Sequence, residues 1–235
     1  MNLTMNYIPR RAVLASLLAS SVSAMGLLAT PLVALAGNEA SPWSKAAQSS
    51  VRLISGGAAP AGGWRAGVEL RLAPGYKTYW RTAGDSGIPP RFDWSGSENL
   101  ASVEVKWPVP TRFSDGYGSS IGYARDVVFP LVVTAVDPSR PVTLNLKLDY
   151  AVCEKLCIPA QGAARLDVTE SQTRFTAHIA SAEAQVPLRA GFGPDPGRPA
   201  LLKAATGMAS GKPVLSFTLK APMAIQIADV APMLA

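Results

Sequence analysis

The chain has 235 residues, with 22 Lys and Arg against 16 Asp and Glu, a formal charge of +6, two cysteines and one histidine. The positive excess is mild and spread along the chain. No Lys/Arg run offers the footprint that a nucleic-acid-binding protein needs, and a single histidine supports neither a Ser–His–Asp arrangement nor a histidine-rich metal site.

Residues 1–36 read as a targeting segment. Arg10 and Arg11 precede an uncharged run, 12–36, that ends in Ala34-Leu35-Ala36, an A-x-A cleavage pattern, before Gly37. The run is long enough to span a bilayer, but its serines, Gly26 and Pro31 make a poor anchor, so a cleaved signal peptide is the expectation. Arg10-Arg11-Ala12-Val13-Leu14 also fits a loose twin-arginine pattern beside the ordinary secretory route. Cleavage removes two arginines and no acids, so +6 becomes +4. No second stretch is long enough to cross a membrane, so no stable membrane insertion is expected after cleavage. The expected setting is an oxidising compartment, where disulfides persist.

From about Val51 to Val168 the pattern is short strands with Gly/Pro punctuation. Val68, Leu70 and Leu72 alternate with Glu69 and Arg71 before Pro74-Gly75, and Val103, Val105 and Trp107 alternate next. "DVVFPLVVTAV", 126–136, is almost continuously apolar and suits a strand buried on both faces, with Pro130 marking a bulge or edge position. In "PVTLNLKLDYAV", 141–152, Val142, Leu144, Leu146, Leu148, Tyr150 and Val152 share one parity, and Thr143, Asn145, Lys147 and Asp149 the other. Leu166 and Val168 resume the inward set. The pattern predicts an all-β fold, a β-sandwich. Residues 173–185 read as a short helix and 187–200 as a Pro/Gly-rich linker. Residues 201–235 offer one good strand, "PVLSFTLKA", in an extension too short for a core of its own.

Both cysteines lie in "DYAVCEKLCIPAQG", 149–162. Strand parity puts Cys153 on the polar face, and the segment to Gly162 joins two strands, so both thiols are expected at a hairpin tip and reachable. Three readings stand. A structural disulfide closing so short a loop contributes only about 2 kcal/mol, against about 4.7 for a hundred-residue loop. Two thiolates lack the further ligands zinc wants, although a soft Cu(I) accepts two. A close, exposed pair also suits exchange, in which one thiolate attacks a disulfide and the second thiol resolves the product.

"YAVCEKLCIPA" with "GYKTYWRTAGDSGIPPRFDWSGSENL" resembles the N-terminal periplasmic (alpha) domain of the protein-disulfide reductase DsbD and its relatives, over roughly residues 45–170. The resemblance implies an immunoglobulin-like sandwich and a periplasmic thiol–disulfide carrier with Cys153 and Cys157 as its redox-active disulfide. It implies electron transfer between a transmembrane thiol reductase module and thioredoxin-fold periplasmic proteins, with no organic cofactor and no metal. In the family an aromatic-bearing loop covers the cysteines. The matching stretch, 113–123, offers Asp115, Tyr117 and Tyr123 as cap residues, with Gly116 where another bulky residue would be expected. The rivals remain a non-catalytic β-sandwich binding module with a structural disulfide and a copper-handling domain. Elsewhere Asp85, Asp93 and Glu98 lie in turn-rich sequence and read as turn chemistry. Trp64, Tyr76, Tyr79, Trp80 and Trp94 read as core packing, and His178 as a helix-surface residue.

Overall fold

The structure, a computed structural model, describes residues 38–60, 62–114, 118–188, 192–193 and 200–220; the segment read as a signal peptide lies outside them. In chain order the elements are β1 (Ser44–Ala46), β2 (Ser49–Ala58), β3 (Trp64–Leu72), β4 (Thr78–Gly84), β5 (Arg91–Asp93), β6 (Leu100–Val105) and β7 (Thr111–Ser114). They continue through β8 (Ser119–Tyr123), β9 (Val127–Ala135), β10 (Val142–Cys153), β11 (Cys157–Val168), α1 (Thr176–Glu183), β12 (Ala200–Ala209) and β13 (Lys212–Lys220).

Period-two burial builds two layers. One is the sheet β1-β2-β3-β9-β6; the other is β11-β10-β5, with β4-β8-β7 joined to it through the Lys77–Cys153 bridge. The inward parity of β10 is the one the sequence predicts: Val142, Leu144, Leu146, Leu148, Tyr150 and Val152 are all buried. They share a core with Leu53, Val68, Leu70, Phe129 and Leu131 from the five-stranded sheet. Each large aliphatic buried there is worth about 1.5–3 kcal/mol. The result is an immunoglobulin-like β-sandwich.

The apolar run in β9 has two faces to fill. Phe129 and Leu131 point into the sandwich, while Val128 and Ile54 of β2 pack under Ile179 and Ala182 of α1. A two-point ion pair from Arg65 to Glu183, at 3.0 and 2.9 Å, fastens the helix. Pro130 sits in a strand flanked by β3 and β6 and not at the sheet edge. Its carbonyl accepts from Lys106 N–H just past the end of β6, so its nitrogen faces a place where no strand asks for a donor. The expected edge is thus local to one residue.

The carboxy-terminal hairpin contains a strand the sequence did not suggest. "ALLKAATGMA", β12, has little β-branched or aromatic character, and its pairing with the better strand β13 imposes the conformation.

Candidate redox site

β10 and β11 run in unbroken antiparallel register from Val142↔Val168 to Cys153↔Cys157. Glu154, Lys155 and Leu156 form the turn. The register therefore ends in the two cysteines facing each other, with Cα atoms 4.1 Å apart and the sulfurs bonded at 2.11 Å.

The two sulfurs are not equivalent. Cys157 is exposed, whereas Cys153 is 2 % exposed, which corrects the expectation that both would be reachable. The cause is the segment leading into β4. Lys77 N–H donates to the Cys153 carbonyl and Cys153 N–H donates to the Lys77 carbonyl, both at 2.9 Å. Beside them the Thr78 hydroxyl donates to the Ala151 carbonyl at 2.9 Å. These bonds lay the segment, about seventy positions earlier in the chain, beside the end of β10 in the plane of the sheet, and so set Tyr79 and Ala83 over the face to which Cys153 points.

Tyr79 completes this cover. Its ring is buried with Ala83, Ala151 and Cys153, and its hydroxyl lies 2.9 Å from Cys153 Sγ and 3.1 Å from Cys157 Sγ. The bonded sulfurs carry no proton, so the phenol donates. Gly87 lies close against the ring: a Cβ there would stand 2.5 Å from Tyr79 Cδ1 and 2.5 Å from Ala83 Cβ. The arrangement places a donor where negative charge develops when the disulfide opens to thiolates.

Residues 50–169, just over half of the 235-residue chain, match the family described as "Thiol:disulfide interchange protein DsbD, N-terminal". The chain belongs to the DsbD N-terminal family. The crystal structure of the N-terminal periplasmic domain of ScsB from Proteus mirabilis is similar in fold, with a TM-score of 0.54 at 21 % identity, covering 79 % of this chain and 86 % of that one. No curated protein matches the chain. Membership in the DsbD family, together with the close Cys153–Cys157 disulfide, supports thiol–disulfide exchange as the chemistry of the domain.

Among the other residues singled out in this DsbD-family domain, Asp115 and Tyr117 lie outside the described residues. Tyr123 ends β8 inside the core, edge-on to Phe129, with its hydroxyl donating to the Pro108 carbonyl at 2.9 Å. That position makes it an anchor of the β8 strand, and burial pushes its phenol pKa up. Of Asp85, Asp93 and Glu98, Asp93 serves its own turn as expected, accepting from Ser95 N–H at 2.8 Å, whereas the other two tie distant segments: Asp85 accepts from Ser119 N–H at 3.0 Å and Glu98 pairs with Arg165 at 2.8 Å. The Ser95 hydrogen bonds hold the Asp93 carboxyl below its ordinary range. Trp64 and Trp80 are buried as expected, and His178 is on the exposed side of α1. Among the described residues no group of three or more His, Cys, Asp or Glu is gathered as a metal set, and no helix is long and apolar enough to cross a membrane.

Tyr79, which the sequence pattern assigned only to packing, is the residue whose hydroxyl touches both sulfurs. The available signal was chemical: a buried tyrosine needs a partner for its hydroxyl, and this one stands in the T-Y-W-R block that carries the family resemblance.

Proposed function

We propose that this protein is an exported thiol–disulfide interchange domain that passes electrons between a membrane thiol reductase and oxidised thioredoxin-fold proteins of the periplasm, through Cys153 and Cys157. The observation that carries the reading is the asymmetry of the disulfide, with one cysteine exposed at a hairpin tip and its partner buried beneath a tyrosine hydroxyl. Export and periplasmic location are supported by Arg10-Arg11, the apolar run and Ala34-Leu35-Ala36. The likeness in fold to a periplasmic domain points the same way.

In the reduced domain the Cys157 thiolate attacks a partner disulfide, forming a mixed disulfide and releasing one partner thiol. Cys153 then attacks the Cys157 sulfur, re-forming the internal bond and releasing the second partner thiol. The pair loses two electrons and two protons, and the partner gains them. Recharging by the membrane reductase is the same sequence reversed, with the incoming thiolate striking exposed Cys157. The loop 113–123, with Asp115 and Tyr117, is the proposed cover over the sulfurs, and Tyr123 its anchor in the core.

Two measurements test this. The reduction potential of the pair should lie near the thioredoxin range, about −270 mV; a value well below about −300 mV marks a structural bridge. In addition, Cys153→Ala should trap a mixed disulfide with an oxidised thioredoxin-fold protein on a non-reducing gel, while Cys157→Ala should not, because its remaining thiol is buried. Adducts from neither variant would leave the disulfide as a staple of a binding module.

A further inference from the structure

We propose that Leu156 is the docking contact of the exchange site, seating in an apolar surface around the reactive cysteine of a protein partner. The inference rests on the exchange reading given above and names the surface by which that site selects proteins.

Three residues separate the cysteines, and Leu156 is 77 % exposed, the most exposed of the large hydrophobic residues among the described residues. Nothing in the fold requires an apolar residue there: the hairpin register is set by β10 and β11, and the core is complete without it. Exposed apolar side chains scattered singly are ordinary; the position of this one is what gives it meaning. In a mixed disulfide the two cysteine Cβ atoms come about 3.8 Å apart, and the Cα of residue 156 is about 3.8 Å from that of Cys157. A protein bonded to Cys157 therefore comes within reach of the exposed Leu156 side chain.

The approach is confined to this side. Cys153 is buried against Tyr79 and Ala83, with Lys77 paired beside it, so a partner cannot reach the disulfide from the β4 side. Glu154 leans back over the preceding turn, its carboxylate 3.5 Å from where a Cβ at Gly75 would stand. Among the described residues, Lys155, Leu156 and Cys157 are the exposed side of the disulfide, and a partner reaches them once the proposed cover, 113–123, gives way. A partner that surrounds its cysteine with apolar groups gains by covering Leu156. A small charged thiol compound covers little of it and gains little.

The test compares the reduced full-length protein with Leu156→Ala, Leu156→Lys and Val136→Lys. Val136 is another highly exposed apolar residue. It lies before the opposite end of β10, a strand that is itself roughly 36 Å long from Val142 to Cys153 at about 3.3 Å per residue. Second-order rate constants are measured with oxidised thioredoxin and with oxidised glutathione. Leu156→Ala should slow exchange with thioredoxin about tenfold and Leu156→Lys further, by loss of one buried leucine at an interface centre. Both should leave the glutathione rate within about twofold, and Val136→Lys should change neither rate. Unchanged thioredoxin rates in the Leu156 variants overturn the docking role while leaving exchange intact. Equal slowing with both oxidants also overturns it, since the side chain would then be acting on the sulfur itself. A wild-type protein that exchanges with glutathione but not thioredoxin removes the thioredoxin fold as the occupant. Exchange with neither removes the exchange reading and the docking role together.

Discussion

Tyr79→Phe isolates the hydroxyl that touches both sulfurs. The ring and its packing against Ala83, Ala151 and Cys153 remain, while the donor at 2.9 and 3.1 Å is lost. A hydrogen bond to a charged group is worth about 1.5–3 kcal/mol. Once the disulfide opens, a thiolate in this position loses that amount, which raises the thiol pKa by about 1–2 units. At neutral pH the thiolate fraction then falls about 10- to 100-fold. A less acidic thiol is intrinsically the better nucleophile, with a Brønsted coefficient of about 0.4–0.5, which returns roughly 3- to 10-fold. The expected net effect is a 3- to 10-fold slower alkylation of reduced Cys157 by iodoacetamide at pH 7, and a rate profile shifted upward in pH. Above the thiol pKa the reduced state loses this amount and the oxidised pair about 1 kcal/mol, so the difference should lower the reduction potential by about 10–40 mV. The neutral bond to the oxidised pair is worth only about 1 kcal/mol, so the fold should persist. An unchanged pH profile, or a shift downward, would refute the role assigned to the hydroxyl.

Three further outcomes are expected. Cys153→Ala with Cys157→Ala should remain folded and lose no more than about 2 kcal/mol in denaturant unfolding, since the bridge closes a five-residue loop; failure to fold would make the disulfide a principal staple. Gly87→Ala should push Tyr79 off the sulfurs and cost about 1–3 kcal/mol by overpacking, so its thiol pKa should move in the same direction as that of Tyr79→Phe; an unaltered thiol pKa would show that the ring is not held by this contact. Burial raises the phenol pKa of Tyr123, so the folded state favours its protonated form. Its contribution is complete below the unfolded value near pH 10 and is lost as pH rises above it, at up to about 1.4 kcal/mol per pH unit. Tyr123→Phe should therefore be less stable at neutral pH, by about 1 kcal/mol for the lost bond to Pro108, and should show a flatter alkaline limb in unfolding measured by circular dichroism.

The sequence by itself determined what depends on neighbours along the chain. Alternation is a local property with a period of two, so the inward set Val142 to Val152 and the sandwich it serves could be read directly. The spacing of Cys153 and Cys157 between two strand patterns likewise brought the pair to the end of a hairpin. Tertiary structure decided everything that depends on which distant segment comes to lie on a face. Parity put Cys153 outward, and by the local rule it is outward; it is buried because the segment paired beside it at Lys77 sets Tyr79 and Ala83 on that face. The same pairing makes Tyr79, a packing residue by its pattern, a donor to both sulfurs. Pro130 gave a correct warning of a missing donor, but only the length of β6 shows why a flanked strand tolerates it. β12 takes its strand conformation from its partner and not from its own side chains. The physical reason is common to these cases: side-chain periodicity is written in one strand, whereas burial and hydrogen-bond partners belong to pairs of segments far apart in the chain.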